Sequence, residues 1–93
     1  MKIIINGFGN IFFELKKRYG KGVNIILDVD KKSRVEDIIS MLNLNTEEIE
    51  GVFINGKVKS KSSELKDGDR IGLIPKGIPG PYRFLLGIKK LKI

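Results

Sequence analysis

The chain has 93 residues, 41% of them hydrophobic and 31% charged, which fits one folded domain and no membrane-embedded or disordered class. It contains no Cys, His or Trp, so disulfides, thiolate and imidazole metal sites, cysteine nucleophiles and imidazole-based catalysis are all excluded. The formal net charge of +7 is uneven: Lys76, Arg83, Lys89, Lys90 and Lys92 face no acid at the trailing end, whereas the first 75 residues are nearly balanced. No run approaches the ~20 apolar residues of a membrane span, and the start lacks the basic-then-apolar order of a secretory signal. The expectation is a cytoplasmic protein without a membrane span.

Residues 2–6 (KIIIN) form a β-branched run that reads as a buried strand, broken by Gly7 and Gly9. In residues 11–18, Ile11, Phe12 and Leu15 fall at helical spacing, which predicts a short helix or turn. After Gly20 and Gly22, residues 23–29 (VNIILDV) read as a second strand. Ser33 and Glu36 have the spacing of a capping box, and Val35, Ile38, Ile39 and Leu42 then share one face. This predicts the main helix, over about 33–42, packed on a sheet. Asn45 is placed to cap one further turn.

Residues 52–54 (VFI) run into Asn55-Gly56, a strong hairpin signal because both positions accept positive φ. Residues 57–61 return as the partner strand, with Lys57, Lys59 and Lys61 on one strand face, as suits a solvated sheet edge. Leu65 and the turn Lys66-Asp67-Gly68-Asp69 lead to a last strand over 70–74, stopped by Pro75. The order is strand, short helix, strand, helix, strand, strand, strand. This is the order of an α+β, ubiquitin-like β-grasp: a mixed four- to five-stranded sheet with one main helix on one face and the final strand beside the first.

The opening, with Gly7 and Gly9 after a strand and Asp28 or Asp30 about 20 residues on, imitates a dinucleotide-binding start. Phe12 stands where the third glycine belongs, and the chain cannot hold two mononucleotide halves. The glycines are instead expected to make a tight turn, and no cofactor is expected.

Val52-Phe53-Ile54-Asn55-Gly56, then Leu65-Lys66-Asp67-Gly68-Asp69-Arg70-Ile71, an apolar strand and Pro75 together resemble the ThiS/MoaD family of sulfur carriers. The resemblance covers residues 1 to about 80. It implies a carrier with no catalytic side chain of its own, whose terminal glycine carboxylate is adenylated by a ubiquitin-activating-type partner and converted to a thiocarboxylate. A gap-free count from Asp69 puts Gly80 at the terminal glycine, with Pro79 replacing the penultimate one. Pro81 and twelve more residues follow, so Gly80 becomes a carrier terminus only if the chain is cut after it. Without that cut, the domain is an interaction module derived from the carrier frame.

The resemblance therefore divides the chain into a β-grasp domain, 1–78, and a basic, apolar extension, 79–93. In the extension, Tyr82, Arg83, Phe84, Leu85 and Leu86 are the candidate partner-docking residues, while alternation of Tyr82, Phe84 and Leu86 equally suits a strand packed on the domain. The run beside three lysines is too short to hold a membrane surface firmly by itself. The expected partner is a protein, either a ubiquitin-activating-type adenylyltransferase or a cofactor-synthesis or metalloenzyme subunit. The alternative is RNA binding by a TGS-like β-grasp domain, through Lys16, Lys17, Arg18 and Lys21 with Lys57, Lys59 and Lys61; these cations lack interleaved aromatics for base stacking. Asp28 with Asp30, and Asp67 with Asp69, lie in turns, where Asp caps the backbone. No catalysis and no metal are expected.

Overall fold

The structure is a computed structural model, and it describes residues 1–77. The described residues form β1 (Lys2–Gly7), α1 (Gly9–Tyr19), β2 (Ile25–Asp28), α2 (Val35–Met41), a 3-10 turn (Thr46–Glu48), β3 (Ile49–Ile54), β4 (Lys57–Lys59) and β5 (Arg70–Pro75). The strands make one five-stranded sheet in the order β2-β1-β5-β3-β4. β5 lies between β1 and β3, parallel to the first and antiparallel to the second. The outer pairs, β1 with β2 and β3 with β4, are antiparallel. The β-grasp order and the insertion of the last strand beside the first both hold.

Strand alternation separates two faces. Ile3 and Ile5 of β1, Ile71 and Leu73 of β5, and Val52 of β3 are buried and form one cluster with Ile11 and Leu15 of α1 and with Val35, Ile38, Ile39 and Leu42 of α2. Both helices therefore close the same core. Ile4 is only half-buried, so the isoleucine run of β1 is not covered on both sides as its composition suggests.

Against seven residues in α2, helix α1 has eleven, more than the short helix or turn expected over 11–18. Its basic last turn, Lys16, Lys17 and Arg18, suits the negative end of the helix dipole. Gly20, with φ +81°, closes the helix by donating its N–H to the Lys16 carbonyl at 2.9 Å.

The start of α2 also differs from the expected capping box. Its N-cap is Arg34, whose N–H donates to the Asp37 carboxylate at 2.8 Å. Ser33 instead donates its hydroxyl to the Asp30 carbonyl at 2.7 Å and accepts the Leu65 N–H on its own carbonyl at 2.8 Å. These contacts, with the bridge between Arg34 and Glu64, hold residues 33–34 extended and delay the helix. Asn45 caps the 3-10 turn as expected, accepting the Glu47 N–H at 3.0 Å.

Asn55 and Gly56 both have positive φ, 52° and 83°, as a two-residue hairpin requires. Beyond them, the Asn55 amide donates to Asp69 Oδ1 at 2.9 Å, and Asn55 Oδ1 accepts the Arg70 N–H at 2.9 Å. Asp69 Oδ2 accepts the Lys66 N–H at 2.8 Å. The Asn-Gly and Asp-Gly-Asp turns are thus locked together at one end of the sheet.

Candidate functional site

The sheet face opposite the helices carries a patch of large apolar side chains. Ile26, Ile4 and Arg70 line up across β2, β1 and β5, and the next row runs Asn6, Gly72, Phe53 and Val58 across β1, β5, β3 and β4. Phe8 and Val23 adjoin this row in a shallow groove of about 300 Å³, lined also by Asn6, Phe53, Gly56, Arg70 and Gly72. Ile26 is 63% exposed, Val58 44% and Val23 40%, so this part of the face is open to contact, whereas Ile74, on the same face of β5, is fully buried.

Gly72 shapes the groove floor. A Cβ there would lie 3.1 Å from the Phe8 ring and 3.5 Å from the Phe53 Cβ, so a side chain at this position would crowd both aromatics. Arg70 lies at the groove's margin, and its guanidinium makes no hydrogen bond or ion pair among the described residues. Lys2, on the same face, is paired loosely with Asp28 at 3.8 Å, an exposed contact of little energetic weight. An apolar floor beside the Arg70 cation suits a protein surface that is apolar with a carboxylate at its rim.

The chain leaves the sheet at the far end of β5. Lys76 donates its N–H to the Glu48 carbonyl at 3.0 Å, and Gly77 has φ +84°. Gly80 and the docking candidates Tyr82, Arg83, Phe84, Leu85 and Leu86 lie outside the described residues.

The other residue groups have structural employment. Asp28 pairs with the N-terminal ammonium at 3.3 Å, Asp67 accepts the Lys2 N–H at 2.7 Å, and Asp69 is consumed by the turn lock. No group of three or more acids that could hold a metal ion occurs among the described residues. The two opening glycines serve packing: a Cβ on Gly7 would meet Leu15 at 2.9 Å, and one on Gly9 would meet Pro75 at 2.9 Å. Of the cations grouped for RNA binding, Arg18 Nη1 donates to the Leu42 and Asn43 carbonyls at 2.9 and 2.8 Å, and Lys61 Nζ donates to the Thr46 carbonyl at 2.7 Å. Those two act as clamps at the ends of other elements. The open face went unremarked in the sequence, whose one available signal was alternation of Ile4 and Phe53 with fully buried neighbours.

Three solved structures overlay on the chain. SAMP1 from Haloferax volcanii is 18% identical, with coverage of 86% of this chain and 100% of its own and a TM-score of 0.61. A putative molybdopterin converting factor, subunit 1, from Pyrococcus furiosus is 25% identical, covers 81% of this chain and 97% of its own, and scores 0.60. The small archaeal modifier protein 1 of H. volcanii is 20% identical, with coverage of 80% and 95% and a TM-score of 0.60. No family model matches the sequence, and no curated protein matches it. The fold is that of the ThiS/MoaD-like ubiquitin-fold proteins. No helix among the described residues is long and apolar enough to cross a membrane.

Proposed function

We propose that this chain works as a ubiquitin-fold protein that docks on a protein partner through the open sheet face and supplies no catalytic side chain of its own. The observation that carries this reading is the groove around Gly72, where Phe8 and Val23 are exposed and Phe53 is half-buried beside Arg70, whose guanidinium is unpaired among the described residues. The proposed partner is a ubiquitin-activating-type adenylyltransferase, or a cofactor-synthesis or metalloenzyme subunit. Calorimetric titration of the full chain against the adenylyltransferase of its own host tests this. Ile26→Glu, at an exposed position, and Phe53→Ser are each expected to weaken binding at least ~10-fold, as loss of a central apolar anchor does, with the circular dichroism of Ile26→Glu unchanged. Equal affinity for both variants and the parent chain would remove the sheet face from the reading.

A second reading, sulfur carriage, draws support from the likeness to a putative molybdopterin converting factor subunit and from the placement of Gly80. It requires hydrolysis of the Gly80–Pro81 bond, which frees the carboxylate for adenylation. Intact mass of the protein from its native host decides it. A species ending at Gly80, or the same species heavier by sulfur in place of oxygen, establishes carriage. Full-length chain alone leaves the protein as a binding module. The likeness to carrier and modifier structures, and the structural use of Arg18 and Lys61, do not favour the RNA-binding alternative.

A further inference from the structure

Across the molecule from α1, the edge strand β4 overhangs a cleft of about 320 Å³ on the helix side of the sheet. Lys57 and Lys59 pair with Ile54 and Val52, whose side chains face the core, yet both lysines are exposed. Their side chains line the cleft together with Lys66 and Ser63. None of the three ammonium groups has an ion pair or hydrogen bond among the described residues. Two carboxylates share the cleft. Asp69 is held by the Asn55 amide and the Lys66 N–H, neutral donors that leave its charge in place, so three ammonium groups share the cleft with two carboxylates and the excess is positive.

The opposite wall is fixed in place. Ser63 and Lys61 accept the Val35 and Glu36 N–H groups on their carbonyls at 3.1 and 2.8 Å, and Leu65 donates to the Ser33 carbonyl at 2.8 Å. The strand wall offers backbone instead. In a two-residue hairpin the residues flanking the turn, Ile54 and Lys57, exchange hydrogen bonds, so the next pair, Phe53 and Val58, does not. The N–H and C=O of Val58 therefore point away from β3, along an edge that carries no further strand among the described residues.

We infer that the β4 edge and its lysine-lined cleft bind an extended acidic peptide segment of a partner protein, which adds a strand beside Val58 and sets carboxylates against Lys57, Lys59 and Lys66. Two features select this occupant. An unpaired strand edge asks for another backbone, and an anionic small molecule or nucleic acid supplies no such ladder. Three unpaired ammonium groups ask for acid. The same charge argument disfavours the chain's own trailing end, which carries Arg83, Lys89, Lys90 and Lys92 without an acid, and a second copy's β4, which presents the same lysines.

The test is amide NMR on the full-length, isotope-labelled chain with an acetylated, amidated heptapeptide alternating Glu and Val, against the same peptide with Lys in place of Glu. The acidic peptide is expected to shift and protect the Val58 amide and to bind several-fold more weakly when salt is raised to a physiological level, while the basic peptide leaves the spectrum unchanged. Lys57→Glu with Lys59→Glu is expected to weaken binding at least ~10-fold, and Lys16→Glu with Lys17→Glu to leave it within about two-fold. Val58→Pro keeps every charge, loses a backbone N–H that points away from β3, a substitution edge strands tolerate, and is expected to weaken binding about five-fold or more with the sheet intact. Val58→Ala, which trims the side chain and keeps the N–H, is expected to bind within about two-fold of the parent. The inference is overturned if Val58 does not respond, if Val58→Pro binds like the parent, if the lysines of α1 matter as much as those of β4, or if single-stranded RNA shifts the cleft residues more strongly than the acidic peptide.

Discussion

Asp69 is 8% exposed, with one carboxylate oxygen on the Asn55 amide and the other on the Lys66 N–H. Asn55 in turn receives the Arg70 N–H, so two turns that are 14 residues apart share one hydrogen-bonded unit. Asp69→Ala strands the Asn55 and Lys66 donors together. Loss of charged hydrogen bonds at such a site is expected to cost about 2–3 kcal/mol, read as a lower denaturant midpoint with an unchanged slope. A loss below about 0.5 kcal/mol would mean that water replaces the carboxylate without penalty. Each turn was legible by itself, because Asn-Gly and Asp-Gly-Asp declare their φ requirements locally. The link between them was not, because it depends on which turns the sheet brings to the same end. The Asn-Gly and Asp-Gly-Asp pattern is, in this chain, the chemistry of folding the sheet's end.

The same divide between local and tertiary information separates the elements. The hairpin turn between β3 and β4, the last strand and the apolar stripe of α2 follow from periodicity and turn chemistry and hold. Strand β3 nevertheless starts earlier than expected, at Ile49, and β4 stops at Lys59, which leaves Lys61 outside the strand. Helix α1 reads shorter than it is because only Ile11 and Leu15 are buried in it, while Phe13 is 67% exposed. Its last turn is held from outside, where Arg18 donates to the Leu42 and Asn43 carbonyls that follow α2, and from within the helix by the Arg18–Glu14 pair at 3.2 Å. The delayed start of α2 has a similar origin, since backbone pairing to the loop over 61–65 outcompetes the Ser33 cap. The candidate site was the least legible part. Alternation tells which residues of a strand share a face, but only the placement of both helices tells which face lies away from them, and Ile4, Ile26 and Phe53 are ordinary strand residues until that is known.

At the scale of the molecule, the question is whether residues 1–78 form a complete unit. Core side chains from both helices and from β1, β2, β3 and β5 already meet in one cluster, with Ile3, Ile5, Leu15, Val35, Ile71 and Leu73 each fully buried. The central strand, β5, has neighbours on both sides, and its end is tied by the Lys76 N–H to Glu48. The exposed part of the opposite sheet face and the β4 edge lie outside that cluster, as does Ile74, which is fully buried. A chain ending at residue 78 is therefore expected to unfold cooperatively within about 4 °C of the full-length protein, since a change of ~1 kcal/mol moves a domain of this size by about 4–8 °C. The charge change points the same way, because removing Arg83, Lys89, Lys90 and Lys92 lowers the net positive charge and its self-repulsion. Paired thermal scans by circular dichroism measure the difference. A truncated chain that melts broadly, or more than about 8 °C early, would assign residues 79–93 to the folded domain, and the extension would then be counted as part of the scaffold. Retention of the transition would leave 79–93 free of any duty in folding and place its apolar and basic residues at the disposal of a partner.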